Sequence, residues 1–241
     1  MASLLDQITD PYVREARLTP ALMATLPAAV SVLTLMPKGE IAWGGVVGVV
    51  VSCGIAVPLA NVARDAGRRL EARLRKDRGG RSSATMLRHS DARINGPTKK
   101  RYHAALRRLG VNIPTRSQES AKPDAAEAIY ESAIDLLLAR RSRETKGNLE
   151  FKENVTYGYR RNTLGLKPIS VAIAAIALVV GVVGAIVGRN IYASVVVGLA
   201  ALLALAFNLL VVNSAWVLAS DDDYARQLLR TLETDNGSSH L

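Results

Sequence analysis

The residues best suited to catalysis or metal binding are two histidines and an aspartate near the middle of the chain. His89 and Asp91 belong to the sequence Arg-His-Ser-Asp, and His103 follows later. Imidazole and carboxylate groups bind transition metals and act as general acids and bases. Their spacing matches no catalytic or metal-binding motif, so ordinary polar contacts are the favoured interpretation. We therefore expect no catalytic residue, metal or cofactor. Enzymatic chemistry around these three side chains is the alternative.

Basic side chains, which bind phosphate groups, are concentrated between residues 61 and 167. This segment holds 25 Lys+Arg and 12 Asp+Glu, a net charge of +13 in a chain whose total is +10. Anionic lipid headgroups are the favoured partner, because each basic residue near a membrane surface contributes about 1 kcal/mol. Nucleic acid is disfavoured, since Tyr102 is the main aromatic available for base stacking. The candidate surface contacts are Arg68, Arg69, Arg73, Arg75, Lys76, Arg160 and Arg161.

Paired acidic, aromatic and basic residues form an unusual run at Glu150–Asn162. We interpret this run as a junction that orients the apolar stretch after it. The functional alternative is a coupling element that transmits a change in a soluble domain to the membrane helices. Arg160 and Arg161 are expected to contact phosphates or to pair with Glu150 and Glu153. The candidate coupling residues are Glu150, Glu153, Tyr157, Gly158 and Tyr159.

Four apolar stretches, each without Asp, Glu, Lys, Arg or His, must position these groups. They are Ala21–Met36, Ile41–Ala63, Pro168–Gly188 and Ile191–Ser220. A bilayer core about 30 Å thick requires about 20 mostly apolar residues in a helix. The chain is therefore predicted to be an all-α integral membrane protein. Four transmembrane helices, arranged as two hairpins, flank a small, mainly helical cytoplasmic domain. The single cysteine, Cys53, excludes an intrachain disulfide.

The basic residues also predict the orientation in the membrane. Seven of them lie within Arg64–Arg78, whereas the tight connections on the other side hold only Lys38 and Arg189. The positive-inside rule then places the middle of the chain and both termini in the cytoplasm, and we expect a bacterial inner membrane. The predicted segments are an N-terminal interfacial segment (1–20), hairpin 1 (21–63), the basic helical domain (64–167), hairpin 2 (168–219) and a C-terminal tail (220–241).

Local signals place helices within the cytoplasmic domain. We predict a helix over Thr98–Leu109 that ends at Gly110, and another that begins at Pro123. Pro114–Ser120 is predicted to be a polar loop. Extended backbone is expected around Asn148–Thr156. The domain should therefore be a small helical bundle.

The fourth apolar stretch is predicted to be one continuous helix. From Tyr192 to Trp216 it would extend about 36 Å, which places both aromatic side chains at headgroup depth. The acidic run Asp221–Asp223 favours a helix N-terminus, so Ser220 is predicted to cap a separate short helix.

Small residues four apart allow membrane helices to pack closely. The candidate residues for helix packing or an oligomer interface are Gly44, Gly48, Gly184, Gly188 and Asn208. Packing within one chain is the favoured interpretation of the glycines. Asn208 is expected to form a hydrogen bond between helices, with pore lining as the alternative.

These observations favour a non-enzymatic, oligomeric inner-membrane protein. Its basic domain would recruit or sense a cytoplasmic protein or small ligand, and its hairpins would anchor it or form a multi-subunit pore. In architecture the chain resembles small bacterial inner-membrane proteins, including membrane effectors of bacterial defence systems. The alternatives are a membrane-associated enzyme or accessory subunit, and a membrane protein that tethers nucleic acid.

Overall fold

A computed structural model describes residues 10–35, 41–141, 149–188 and 190–234. Every regular element within these ranges is a helix, which confirms the all-α prediction for the described part of the chain. The backbone of residues 41–54 is helical, while their side chains lie outside the description.

The described ranges contain nine helices, two of which include a π-helical turn. Helix α1 joins Pro11–Val13, a π-turn at Arg14–Leu18 and Thr19–Leu35. Helix α8 joins Ile191–Ala206 to a π-turn at Phe207–Val211. The remaining helices are α2 (Ile41–Arg78), α3 (Ser82–Thr85), α4 (Gly96–Arg108), α5 (Arg116–Ala121), α6 (Pro123–Arg141), α7 (Leu149–Ile186) and α9 (Ser214–Thr234).

The chain divides into two compact units. Unit 1 comprises Met1–Glu71 and Val155–Val217, and unit 2 comprises Ala72–Asn154 and Leu218–Leu241. The predicted basic domain (64–167) is shared between them, because its two ends belong to unit 1 and its centre belongs to unit 2. The predicted C-terminal tail (220–241) belongs to unit 2.

Three of the described helical segments are long and apolar enough to cross a membrane, rather than the four that the sequence predicts. They are Pro11–Thr34, Leu149–Ile186 and Ile191–Val211. These segments suggest a membrane protein. The second predicted crossing, Ile41–Ala63, lies in α2 but is not among the three, so its crossing stays a prediction.

Helices α1 and α7 run parallel within unit 1. A Cβ built on Gly158 would lie 2.9 Å from the hydroxyl oxygen of Tyr12, and Asn162 forms a hydrogen bond with Ala16. Residue numbers therefore rise together along both helices. A small-residue core surrounds this pair and comprises Ala21, Ala24, Ala56, Ala60, Ala63 and Leu166.

Helix α2 runs antiparallel to α7, and therefore to α1. Its Gly67 lies against Gly165, while Glu71, one turn further along α2, forms an ion pair with Arg161. As residue numbers rise in α2, those of its partners in α7 fall. The chain thus returns beside α1 after residue 40.

Helix α7 begins well before Pro168, the first residue of the third apolar stretch. Residues 149–156, for which extended backbone was expected, are helical, so that prediction is wrong. Glu150 in the first turn favours a helix N-terminus at this point. Pro168 lies inside the helix rather than near its start, as a membrane-type helix tolerates.

The fourth apolar stretch is not one helix. Helix α8 gives way to the π-turn, and Val212 adopts an extended conformation (φ −77°, ψ 95°). The side-chain oxygen of Asn213 then accepts a 2.9 Å hydrogen bond from the Trp216 backbone N–H, which caps α9. Ser220 is therefore a buried residue inside α9, and the predictions of a Ser220 cap and of a straight helix from Tyr192 to Trp216 are wrong.

Unit 2 contains a core of large apolar side chains. Predicted helices over Thr98–Leu109 and from Pro123 are confirmed, and Gly110 adopts a left-handed conformation (φ 87°) just after the first of them. The predicted loop Pro114–Ser120 instead contains α5, which Thr115 and Gln118 start with reciprocal capping hydrogen bonds. The core includes Met86, Leu87, Leu106, Tyr130, Ile134, Leu228 and Leu229.

The acidic run in α9 holds unit 2 together from the middle of a helix. Asp222 forms ion pairs with Arg78 at 2.6 Å and with Arg93 at 2.9 Å. The Ser82 hydroxyl donates a 2.5 Å hydrogen bond to Asp221. These acids therefore stabilise the packing of α9, rather than its N-terminus.

Candidate functional site

The segment Tyr157–Ser170 of α7, which we call the hub segment, contacts every other helix of unit 1. Its partners are α1, α2, the end of α8 and the first turn of α9. The residues that make these contacts are Gly158, Arg160, Arg161, Asn162, Gly165, Lys167 and Ser170. The hub segment includes the last part of the predicted junction and is wholly helical.

Asn162 joins the hub segment to the first π-turn. Its side chain is fully buried, and its amide donates a 2.7 Å hydrogen bond to the carbonyl oxygen of Ala16. Ala16 lies inside the π-turn Arg14–Leu18. The Thr19 hydroxyl donates to the Arg14 carbonyl at 3.0 Å in the same turn. Because a buried amide without a partner is costly, Asn162 fixes the level at which α1 meets α7.

Two further contacts join the hub segment to the second π-turn. The amide of Asn208, which is only 4% exposed, donates to the Ser170 hydroxyl at 3.0 Å and to the Ala204 carbonyl at 2.8 Å. Lys167 donates a 2.7 Å hydrogen bond to the carbonyl of Val212, where the helix breaks. π-turns often mark functional positions in helices. In this protein both π-turns are bound to the same short stretch of α7.

Glycines let the helices approach around the hub segment. A Cβ built on Gly165 would lie 2.6 Å from the backbone nitrogen of Gly67 and 3.1 Å from the Cβ of Ala66. A Cβ built on Gly158 would lie 3.0 Å from that of Ala16. Helix backbones are therefore in direct contact at both positions, as is typical of small-residue packing in membranes.

The two arginines of the hub segment are bound within unit 1. Arg161 forms a 2.6 Å ion pair with Glu71, and both side chains are only 12% exposed. Arg160 donates to the Trp216 carbonyl at 3.1 Å, and its guanidinium lies 5.1 Å from the centre of the Trp216 indole. The ion pairs that the sequence suggests for Arg160 and Arg161, with Glu150 and Glu153, are therefore not the ones described for either arginine.

The remaining predicted coupling residues lie along α7. Tyr157 is buried, with the Arg161 guanidinium 5.6 Å from its ring centre, and Tyr159 packs edge-to-face on Trp216 at 6.1 Å. Glu150 and Glu153 are half-buried on the same helix, outside the hub segment. Of the predicted junction, residues 157–162 belong to the hub segment.

Of the glycines predicted to pack helices together, one lies inside α7 and another lies just after its end. Gly184 is buried in α7, while Gly188 lies just beyond the helix end with a φ of 73°. Helices α7 and α8 approach each other closely at Gly181, where a built Cβ would lie 3.1 Å from the backbone nitrogen of Gly198. The surroundings of Gly44 and Gly48 lie outside the described side chains.

The predicted surface arginines of α2 lie beyond its apolar stretch. Exposed side chains are those of Arg68, Arg69, Arg73 and Lys76, whereas Arg75 is half-buried and takes part in a contact. Sequence reasoning missed Lys167 in the hub segment and Arg17 in the first π-turn. It also missed Gly67 and Glu71 of α2, which contact the hub segment.

A groove of about 340 Å³ runs between α1, α7 and α8. Its apolar lining includes Met23, Leu203 and Phe207, and its polar lining includes Ser170 and Asn208. The hydrogen bond that fixes the second π-turn therefore borders an open apolar surface.

The histidines and aspartate in unit 2 form separate polar contacts. His89 Nε2 donates to the Pro114 carbonyl at 3.0 Å, and His103 Nε2 donates to the Leu87 carbonyl at 2.8 Å. Asp91 forms a 2.6 Å ion pair with Arg93 instead. No group of three such side chains suited to a metal occurs among the described residues. Burial lowers the pKa of His103 below its usual value.

A polar cleft of about 400 Å³ lies in unit 2 beside α6. Arg88 and Glu127 form a 2.6 Å ion pair at this cleft, and the Tyr130 hydroxyl donates to Glu119 at 2.6 Å. Burial, and then this hydrogen bond, raise the pKa of Tyr130. The cleft presents both charge signs, so its lining selects no single class of ligand.

Comparisons with protein-family models, curated proteins and solved structures find no match to this chain. The fold and the hub segment therefore define its class by themselves. The described residues form an all-α protein in which membrane-type helices surround a polar contact region, together with a second helical unit.

Proposed function

We propose that this protein is a non-enzymatic, homo-oligomeric protein of the bacterial inner membrane, in which unit 1 is a membrane-embedded switch and unit 2 recruits or senses a cytoplasmic partner. The observation that carries this proposal is the hub segment, which is hydrogen-bonded to the π-turns of both α1 and α8. A passive anchor requires only apolar helices. Buried amides bound to irregular turns indicate an element with two arrangements.

The second π-turn supplies the alternative arrangement. A π-turn accommodates one residue more than an α-helical turn, so losing or moving it rotates neighbouring residues by about 100° around the helix axis. Such a rotation would carry Asn208 away from Ser170 and break the hydrogen bond that borders the groove. In an oligomer, this movement would change which polar groups face a shared interior.

The packing directions support a fourth crossing. Helix α1 runs parallel to α7, and α2 runs antiparallel to it, so α2 spans the same thickness in the opposite direction. Ile41–Ala63 has the length and the absence of charge that this return requires. This arrangement supports two hairpins rather than three crossings.

The core of unit 2 supports the placement of both its segments on one side of the membrane. Leu87 and Leu106 from the middle of the chain share that core with Leu228 and Leu229 near its end. The chain between them must then cross the membrane an even number of times, as α7 and α8 do. The positive charge of the middle segment favours the cytoplasmic side.

The outward faces of α7 and α8 leave room for further copies. Ile176, Val179, Leu203 and Leu210 are each more than half exposed in the single chain. Lipid tails or the same surfaces of other copies can cover them. A conduit would form between copies, since four apolar helices from a single chain enclose little space.

Native mass measurement in nanodiscs, paired with ion flux through liposomes, tests this proposal. We expect a defined homo-oligomer and a flux that changes by about three- to thirtyfold in Asn208→Leu, since an interhelical hydrogen bond contributes about 0.6–2 kcal/mol. Asn61→Leu, which changes an exposed amide of α2, is the matched control and should leave the flux unaltered. A monomer, or identical flux in wild type and Asn208→Leu, would contradict the proposal.

A further inference from the structure

Four arginines of unit 1 form what we call the arginine layer. Arg64 and Arg68 lie on α2, Arg17 lies in the π-turn of α1, and Arg161 lies in the hub segment. A Cβ built on Gly67, which lies between Arg64 and Arg68 on α2, would be 3.4 Å from the Arg161 Nε. The hydrogen bond from Asn162 to Ala16 places Arg17 beside the same stretch of α7, so the four arginines occupy one region. Arg17 is half-buried, with its guanidinium 5.6 Å from the ring centre of Tyr12.

The positive charge of the arginine layer is only partly balanced within the protein. Glu71 forms an ion pair with Arg161 at 2.6 Å. None of the ion pairs among the described residues includes Arg17, Arg64 or Arg68. The Nε of Arg64 is buried and has no hydrogen-bond partner in the described part of the chain. A buried donor without an acceptor is costly, which favours an anion at this position.

The arginine layer lies at the boundary between polar and apolar sequence. Arg64 directly follows the apolar stretch Ile41–Ala63, and Arg17 precedes the stretch Ala21–Met36 by one helical turn. Because α1 and α2 are antiparallel, both boundaries fall at the same end of unit 1. In a bilayer this is the depth of the lipid phosphates.

We propose that the arginine layer binds the phosphate of an anionic phospholipid headgroup, with Arg64 and Arg68 as its main contacts and Arg17 completing the site. Guanidinium groups bind phosphate oxygens through paired hydrogen bonds. Glu71 holds Arg161 at the edge of the site, so that three arginines remain for the ligand. This site rests on the proposed membrane location of unit 1 but not on the proposed switch, so lipid binding and ion flux can fail independently.

Native mass spectrometry of the full chain, titrated with phosphatidylglycerol or phosphatidylcholine, tests the site. The double variant Arg64→Gln/Arg68→Gln should bind phosphatidylglycerol about thirtyfold more weakly, as expected for about fivefold per arginine. The control Arg116→Gln/Lys122→Gln removes the same charge from exposed positions of unit 2 and should bind as wild type does. Phosphatidylcholine should show no difference among the three proteins.

Three outcomes would overturn the proposal. Equal weakening in the control would show that the attraction is diffuse and not a built site. Displacement of phosphatidylglycerol by inorganic phosphate would assign the site to a free anion. Unchanged binding by Arg64→Gln/Arg68→Gln would exclude these arginines. The variant Arg64→Lys/Arg68→Lys keeps the charge and should retain part of the binding. If it also elutes as wild type does, misfolding is excluded as the cause of the weaker binding.

Discussion

The cores of the two units are built from different kinds of side chain. In unit 1 the buried cluster consists of five alanines and Leu166, and glycines occupy the places where helix backbones touch. In unit 2 most core residues are large, including Met86, Tyr130 and Leu229. Unit 1 also places a fully buried amide, Asn162, between its helices. In unit 2, Arg78 and Asp222 form a partly exposed ion pair, while the buried Lys99 donates to the backbone carbonyls of Arg88 and Asp91.

The proposed location of unit 1 in lipid and of unit 2 in water would account for this difference. In water, burying apolar area stabilises a fold by about 25 cal/mol for each Å², so large side chains are effective core residues. Between helices in lipid this drive is small, and close backbone contact and hydrogen bonds must replace it. The comparison therefore supports a membrane location for unit 1 independently of hydropathy.

The largest expected effect that tests this comparison is in the core of unit 2. Leu229→Ala removes a side chain with 0% exposure, and we expect a loss of about 2–5 kcal/mol in the free energy of unfolding of unit 2. Leu199→Ala makes the same change on the outward face of α8, where the leucine is 56% exposed, and should change stability little. Hydrogen exchange on the full chain in nanodiscs measures both. Similar losses of stability in the two variants would contradict the view that large buried side chains stabilise unit 2 and that exposed ones contribute little in unit 1.

A smaller but more specific effect is expected at the glycine contact of unit 1. Gly165→Ala places a methyl group 2.6 Å from the Gly67 backbone nitrogen, so α2 and α7 must separate. We expect a loss of about 1–3 kcal/mol, as for overpacking elsewhere. Thermal unfolding in detergent provides the measurement.

Gly198→Ala is the matched control for that substitution, because a Cβ at this position has no neighbour within 4 Å. It should be neutral or slightly stabilising, since alanine favours helix more than glycine does. If Gly165→Ala were as well tolerated as Gly198→Ala, the close packing of α2 and α7 would not contribute to stability.

Sequence patterns predict two helices of unit 2, α4 and α6, better than the ends of the membrane-type helices. Pro123 and Gly110 mark helix boundaries through local backbone preferences that no distant contact alters. Hydropathy, in contrast, predicts which residues suit lipid and not where a helix starts. Helix α7 therefore extends well before Pro168, and α8 stops before Val212 because Asn213 caps the next helix.

The spacing of small and polar residues in the sequence indicates part of the hub segment. Gly158, Asn162, Leu166, Ser170 and Ala174 recur every four residues and are all buried, along a stripe that winds around α7. Small and polar residues at this interval signal a helix contact in a membrane protein. Their partners were not predictable, because the Ala16 carbonyl depends on a π-turn and Glu71 depends on which helix lies beside α7.

The smallest expected effect is a pH dependence confined to unit 2. His103 is buried, and this burial, with opposing positive charge from His89 and Arg107, lowers its pKa below the value in an unfolded chain. The Leu87 carbonyl, which accepts the hydrogen bond from its ring, acts in the opposite direction. Its neutral form is therefore favoured in the folded state.

On acidification below the usual histidine pKa of about 6.5, the unfolded chain takes up this proton before the folded unit does. The stability of unit 2 should thus fall, by at most about 1.4 kcal/mol for each pH unit. Hydrogen exchange corrected for intrinsic rates should show this loss in α4 and α6, and a weaker slope in His103→Gln. An unchanged slope in that variant would assign the effect to another group. An equal loss of stability in α7 and α8 would show that acid destabilises both units and not only unit 2.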